Sequence, residues 1–148
     1  VERVTNMKVA DIARAIRTRE LTAQTVLRVF FVKSKIAQET SNCIVHVFAE
    51  ESIRDAIHVD TMLVGSEMDE FTLSMKFPLL GVPISIKDST NVKGADSTCG
   101  LFGRCLQAAS EDAVLVAQLR AVGAIIHVKT NVPALLMSYE CDNGIFGA

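Results

Sequence analysis

Gly81-Val82-Pro83-Ile84-Ser85-Ile86-Lys87-Asp88 is the stretch on which the reading of this chain turns. Ile84 and Ile86 alternate with polar neighbours, glycine and proline supply a turn at the entry, and a charged pair closes the exit; together these predict a strand. A glycine-spaced loop follows from Ser89 to about Ala109. Ser110 is then placed to cap a helix through Ala121, Gly123 to end it in the left-handed conformation, and Ala124-Ile125-Ile126-His127-Val128 to continue as a buried strand. Strand, loop, helix and strand in that order predict an α/β unit.

Upstream of this stretch the texture is helical. Val9, Ile12, Ala13 and Ile16 recur at three- and four-residue steps after Thr5-Asn6, predicting a short amphipathic helix with a capping residue in front. Thr22 opens a second helix from Ala23 to about Gln38, whose apolar residues cover more than one face. Ile44 to Phe48 reads as a short strand and Glu50 to Val64 as a third helix. Gly65 to Lys76, polar and acidic, is expected to be a solvated loop. No internal repeat or low-complexity segment interrupts the 148 residues.

Hydrophobic residues make up 49% and charged residues 22%, the usage of an ordinary globular domain rather than of a disordered or disulfide-dense chain. The net charge of -2 provides no basic field for phosphates, so nucleic acid is not an expected partner. Four dispersed cysteines without a C-x-x-C pair fit reduced thiols in an intracellular, cytoplasmic setting. No run approaches the roughly 20 apolar residues of a membrane span, and no signal segment opens the chain; membrane association of the full-length protein stays open. The sequence begins without Met, which fits a piece of a longer protein as well as processing.

The central stretch, followed by Lys93-Gly94, Ser97-Thr98-x-Gly100, Asp112-Ala113, Leu119-Arg120, Gly123-Ala124-Ile125-Ile126, Lys129-Thr130-Asn131-Val132-Pro133 and Asn143-x-x-Phe146-Gly147, resembles the start of the amidase signature core in order and approximate spacing. Thr22-Ala23, Ser41-Asn42-Cys43 and Glu50-Glu51 further resemble the helical lead-in of fungal acetamidases and fatty acid amide hydrolases. The resemblance implies an α/β fold in which N-terminal helices lead into part of a mixed-sheet core, truncated before a serine-rich segment. Residues 1–76 would form the lead-in and 77–148 the start of that core, within a single domain.

It also implies a reaction: carboxamide hydrolysis to carboxylate plus ammonia or amine, by a serine nucleophile, a bridging serine in a cis peptide, and a lysine that accepts the proton through that bridge. Lys87 matches the lysine. The role demands a neutral amine, because an ammonium has no lone pair, and burial at the end of an apolar strand would lower its pKa. The resemblance places the two serines further along, in and beyond a glycine- and serine-rich stretch that none of these 148 residues supplies. The chain is therefore expected to be an N-terminal fragment, inactive alone. Leu135 to Tyr139 matches a segment lining the substrate cleft, making the Leu136 carbonyl, Met137 and Ser138 substrate-binding candidates. No cofactor is implied. The expected partner is a small-molecule amide, and a homodimer is compatible with the resemblance.

Other readings compete. Lys87 would otherwise pair with Asp88 at a strand end, and the chain would then be a catalytically silent α/β domain; a Schiff-base lysine in a lyase is a third alternative. Ser85, Ser89, Ser97 and Ser138 have no activating group at a defensible spacing, and Ser97-Thr98 is expected to bond nearby backbone. Cys43 and His46 lack two further metal ligands, His58 reads as a solvated helix residue, and Gly100-x-x-Gly103 lacks the strand-to-helix setting of a phosphate loop. His127-Val128, Ala134 and Gly144 depart from common family residues and bear on substrate range.

Overall fold

The computed structural model describes residues 2–148, and helices dominate its first half. After α1 (Glu2–Thr5), helix α2 (Val9–Arg17) buries Ile12, Ala13, Ala15 and Ile16 on one face, the outcome of their three- and four-residue spacing. Thr5 belongs to α1, and the N-cap position of α2 falls on Lys8, which makes no side-chain capping bond.

Helix α3 (Ala23–Ser41) begins where predicted, with Thr22 Oγ1 accepting from the Thr25 amide at 3.1 Å. Its first amides are also met from a distant residue: Asp60 accepts from Ala23 N at 2.7 Å, Gln24 N at 3.2 Å and the Gln24 side chain at 2.9 Å. That carboxylate does the work of a cap, since the first turn of any helix leaves its N–H groups without internal partners. Asp60 lies on α4 (Ala49–Val64), whose first turn carries Glu50 and Glu51.

Residues 70–76, expected as loop, instead form α5 (Glu70–Lys76). Asp69 accepts from the Thr72 amide at 2.8 Å, and Leu73 is buried; hydrogen bonds from Thr72 hold the Asp69 carboxyl below its ordinary range. A single cap and one buried leucine are enough once other helices supply the packing.

Three strands form one sheet in the order β1-β3-β2: β1 (Ile44–Val47), β2 (Pro83–Lys87) and the central, almost wholly buried β3 (Ile125–Thr130). β1 runs antiparallel to β3, with Ile44 opposite Thr130 and Val47 opposite Val128 and a register shift between Ile44 and His46. The bonds Ile125 N to Val82 O and Asp88 N to Thr130 O, both 2.9 Å, climb both strands together, the sense of a parallel pair. The sheet is therefore mixed, and the architecture is α/β as predicted.

Helix α6 (Val114–Ala121) starts three residues later than a cap at Ser110 suggested. Asp112 accepts from Lys93 N at 2.7 Å and the Ala113 amide bonds Asn91 O at 2.9 Å, so this stretch is pinned to the preceding loop. Gly123, at φ 92°, ends the helix as expected, and the Gly123 and Ala124 amides return to Arg120 O and Leu119 O.

The chain divides into two compact units. The first comprises residues up to Lys33 with Phe48–Ile84 and Gln118–His127; its core joins Ile12, Ile16, Val26, Leu27, Leu63, Leu73, Leu80 and Ile125. Each such side chain contributes about 1.5–3 kcal/mol by leaving water. Within it Arg120 binds Glu51 at 2.9 Å and Asp55 at 3.2 Å, and His127 lies edge-on to Phe30 and Phe31 while its Nδ1 donates to Ile84 O at 3.1 Å. The second unit comprises Ser34–Val47, Ser85–Ala117 and Val128–Ala148. It holds every candidate site residue.

Candidate functional site

Lys87 is the last residue of β2, and the peptide group that follows it is fixed at both its ends. Its carbonyl accepts from Thr90 N at 2.9 Å, and the next amide, Asp88 N, bonds Thr130 O on β3. Alternation along the strand buries Ile86 and Asp88 and turns Lys87 outward. Lys87 is exposed among the described residues, where the sequence suggested burial beneath Ile84 and Ile86. The flanking isoleucines lie on the opposite side of the pleat from the lysine, the side that Asp88 shares.

Asp88 is 2% exposed and does not pair with Lys87. Its Oδ2 accepts from Thr98 Oγ1 at 2.7 Å and Cys99 N at 3.0 Å, and its Oδ1 lies 3.6 Å from the ammonium of Lys129. Lys129 is fully buried, and its Nζ also donates to Ser97 Oγ at 2.9 Å and to the Asp96 carbonyl. Burial pulls the Lys129 amine below its ordinary value; the Asp88 carboxylate opposes that shift most strongly. A buried amine bonded to a serine hydroxyl has the look of a serine-lysine dyad. Its paired carboxylate and complete burial argue otherwise, because a proton acceptor must reach the reacting group with a lone pair. Lys129 is a buried ion-pair partner instead.

The same network reaches the substrate-segment candidates. Gly100 N donates to Thr98 Oγ1 at 3.0 Å, and Cys99 O accepts from Leu135 N at 2.9 Å. A Cβ on Gly100 would lie 2.9 Å from the Ala134 Cα and 2.9 Å from the Asn143 Cβ. Only glycine lets these backbones approach so closely. Beyond that contact Leu135 and Leu136 both adopt left-handed backbone, at φ 53° and 61°, a conformation costing a non-glycine residue roughly 1–2 kcal/mol and often found where a chain is shaped for a ligand. Leu136 is 44% and Met137 84% exposed, and Ser138 Oγ accepts from Glu140 N at 3.2 Å.

Two asparagines close the segment from behind. Asn143 Nδ2 donates to Asn131 Oδ1 and to Val132 O, each at 2.7 Å, and Asn143 Oδ1 accepts from the Ile145 and Phe146 amides at 3.0 Å. Asn131 Nδ2 reaches Gly147 O at 3.0 Å, and Asn42 Nδ2 reaches Phe146 O at 2.7 Å. Every buried side-chain polar atom among the described residues is bonded. A cavity of about 310 Å³ opens beside this network, lined in part by His46, Asp88, Asp96, Thr98 and Phe146.

Asp88 meets Lys129 and not Lys87, and one signal in the sequence points to that pair. A lysine inside an apolar strand must meet a carboxylate, and Asp88 closes the neighbouring strand. The Ser97-Thr98 turn bonds backbone as expected, through Ser97 Oγ to Thr90 O at 3.1 Å, and additionally binds the ion pair. Ser85 is exposed and Ser89 half-buried. His58 is exposed, the four cysteines are free, and no cluster of three His, Cys, Asp or Glu among the described residues is arranged to hold a metal ion.

Comparison with known proteins bears on the family and the fold. The family model described as "Amidase" matches residues 25–148. "Amidase 1" of Gibberella moniliformis is 35% identical over 139 residues, covering 92% of this chain and 25% of that protein. "Fatty-acid amide hydrolase 2" of Homo sapiens is 35% identical over 137 residues, covering 93% and 26%, and "Acetamidase" of Emericella nidulans 33% identical over 148 residues, covering 98% and 25%. A solved "Fatty acid amide hydrolase" superposes on 97% of this chain and 24% of its own with a TM-score of 0.88 at 24% identity, a likeness of fold. The chain spans about a quarter of the length of these relatives.

Proposed function

The chain belongs to the amidase family, and from that premise we propose that the full-length protein hydrolyses a carboxamide, with Lys87 as general base. A serine hydroxyl attacks the amide carbon, and its proton passes through the bridging serine to Lys87, which needs a lone pair on its amine to accept it. The tetrahedral oxyanion then expels ammonia or an amine, which takes that proton, and water releases the acyl group as a carboxylate. The serines are those that the family resemblance places outside these 148 residues. Residues 1–76 serve as helical lead-in and 77–148 as the start of one amidase domain.

The observation that carries the proposal is the setting of Lys87. The peptide group that follows it is held at both its carbonyl and its amide, its side chain is exposed, and among the described residues it pairs with no carboxylate. A general base needs that fixed origin and free amine. Leu136, Met137 and Ser138 are proposed to meet the substrate, the Leu136 carbonyl accepting from its N–H and Met137 lining its path; their exposure and the left-handed backbone of Leu136 favour this.

In the full-length protein Lys87→Ala is expected to lower kcat by on the order of 10²- to 10⁴-fold, as for other proton-transfer groups. Lys87→Arg should be nearly as inactive, because a guanidinium stays protonated. Retention of most activity by Lys87→Arg would overturn the general-base role.

A further inference from the structure

We propose that Lys129 is a positioning residue for amide cleavage, its buried charge holding Asp88 so that one carboxylate fixes both the strand end bearing Lys87 and the turn carrying the Leu135–Ser138 segment. The inference rests on the reading of Lys87 as the base.

The geometry gives Asp88 three side-chain attachments in three directions: Lys129 on β3, the Thr98 hydroxyl, and the Cys99 amide. Its own backbone is the residue after Lys87, with its amide on Thr130 O. The peptide group after Cys99 supplies the close contact of Gly100 with Ala134, and Cys99 O accepts from Leu135 N. Base and substrate segment are therefore joined by a short chain of bonds through Asp88. That carboxylate is tolerable in a site only 2% exposed because Lys129 neutralises it. Lys129 is in turn anchored by Ser97 Oγ and the Asp96 carbonyl, which aim the ammonium at Asp88. Without Lys129 the carboxylate is left buried and uncompensated, and its cheapest escape is toward water, dragging both the strand end and the turn.

The test uses the full-length protein with Lys129→Met, Asp88→Asn and the double variant, each assayed for kcat per active site titrated with a fluorophosphonate, for KM, and for thermal midpoint. Lys129→Met is expected to lower kcat per titrated site at least tenfold and raise KM, because base and substrate segment move together. The double variant, which removes both charges at nearly constant shape, is expected to recover kcat to within about threefold of wild type. A merely structural role would lower the midpoint and the number of titratable sites while leaving kcat per site and KM unchanged, and that result overturns the inference. So does a double variant no better than Lys129→Met. Lys87→Ala in the same series separates the two ideas. If it keeps its activity, the base assignment fails first; if it is inactive while Lys129→Met keeps wild-type kcat per site, only the positioning role falls.

Discussion

Gly100→Ala isolates the packing contact on which the segment Leu135 to Ser138, proposed to meet substrate, rests. Two costs arise there. An alanine at φ 70° pays the left-handed strain of an L residue, about 1–2 kcal/mol. Its Cβ would also sit 2.9 Å from the Ala134 Cα and 3.1 Å from the Ala134 N, backbone atoms that yield only if the segment shifts, and such overpacking costs typically about 1–3 kcal/mol. The sum is roughly 2–5 kcal/mol. Gly94 provides the control, because it has φ 83° and nothing within 4 Å of a built Cβ, so Gly94→Ala carries the strain alone. Urea unfolding of both variants in the full-length protein should therefore separate their midpoints by the packing share. Steady-state kinetics should show raised KM for Gly100→Ala and wild-type KM for Gly94→Ala. Equal destabilisation by the two substitutions would refute the close approach of Gly100 to Ala134 as the anchor of the segment.

The 148-residue chain alone should show no amidase turnover and no fluorophosphonate labelling, and its exposed Val64, Phe71, Leu106, Met137 and Tyr139 should favour association over a monodisperse monomer in light scattering. Burial holds His127 below its ordinary value near 6.5, so the unfolded state takes the proton first. Its contribution is complete above that value and is lost as pH falls toward the folded-state pKa; urea midpoints should drop between pH 7 and pH 5, and less so in His127→Gln. Asp60→Ala strips the distant cap from α3 and should cost about 1–2 kcal/mol, measured by the same unfolding assay, with Asp60→Asn recovering only part of it because its amide nitrogen cannot accept.

Elements with a strong period were legible in the sequence: α2, α3, α4 and the strands at Ile84 and Ile125 fall within a few residues of expectation. Helix α5 was not, because seven residues carry too little periodicity to outweigh an acidic, polar composition, and its stability comes from Leu73 meeting other helices. The delayed start of α6 was illegible for a related reason, since Asp112 serves Lys93 N across the loop. At the site, the alternation of Ile84 and Ile86 puts Asp88 and not Lys87 on the buried face of β2, but the strand by itself leaves open which cation meets the buried carboxylate. That cation is Lys129, whose need for a carboxylate becomes visible only when β2 and β3 are paired.

The second unit also has a history in time. Asn42 closes on Phe146 O across 104 residues, and β1 finds its partner only when β3 exists. At a synthesis rate of about 5–20 residues per second, roughly 5–20 s elapse between the appearance of the two partners of that bond. Through that interval Ile44, Val45 and Val47 form a nascent edge with no ladder to join. The fold thus sets a waiting period into its own biosynthesis, during which the unpaired edge of β1 is open to pairing with another chain.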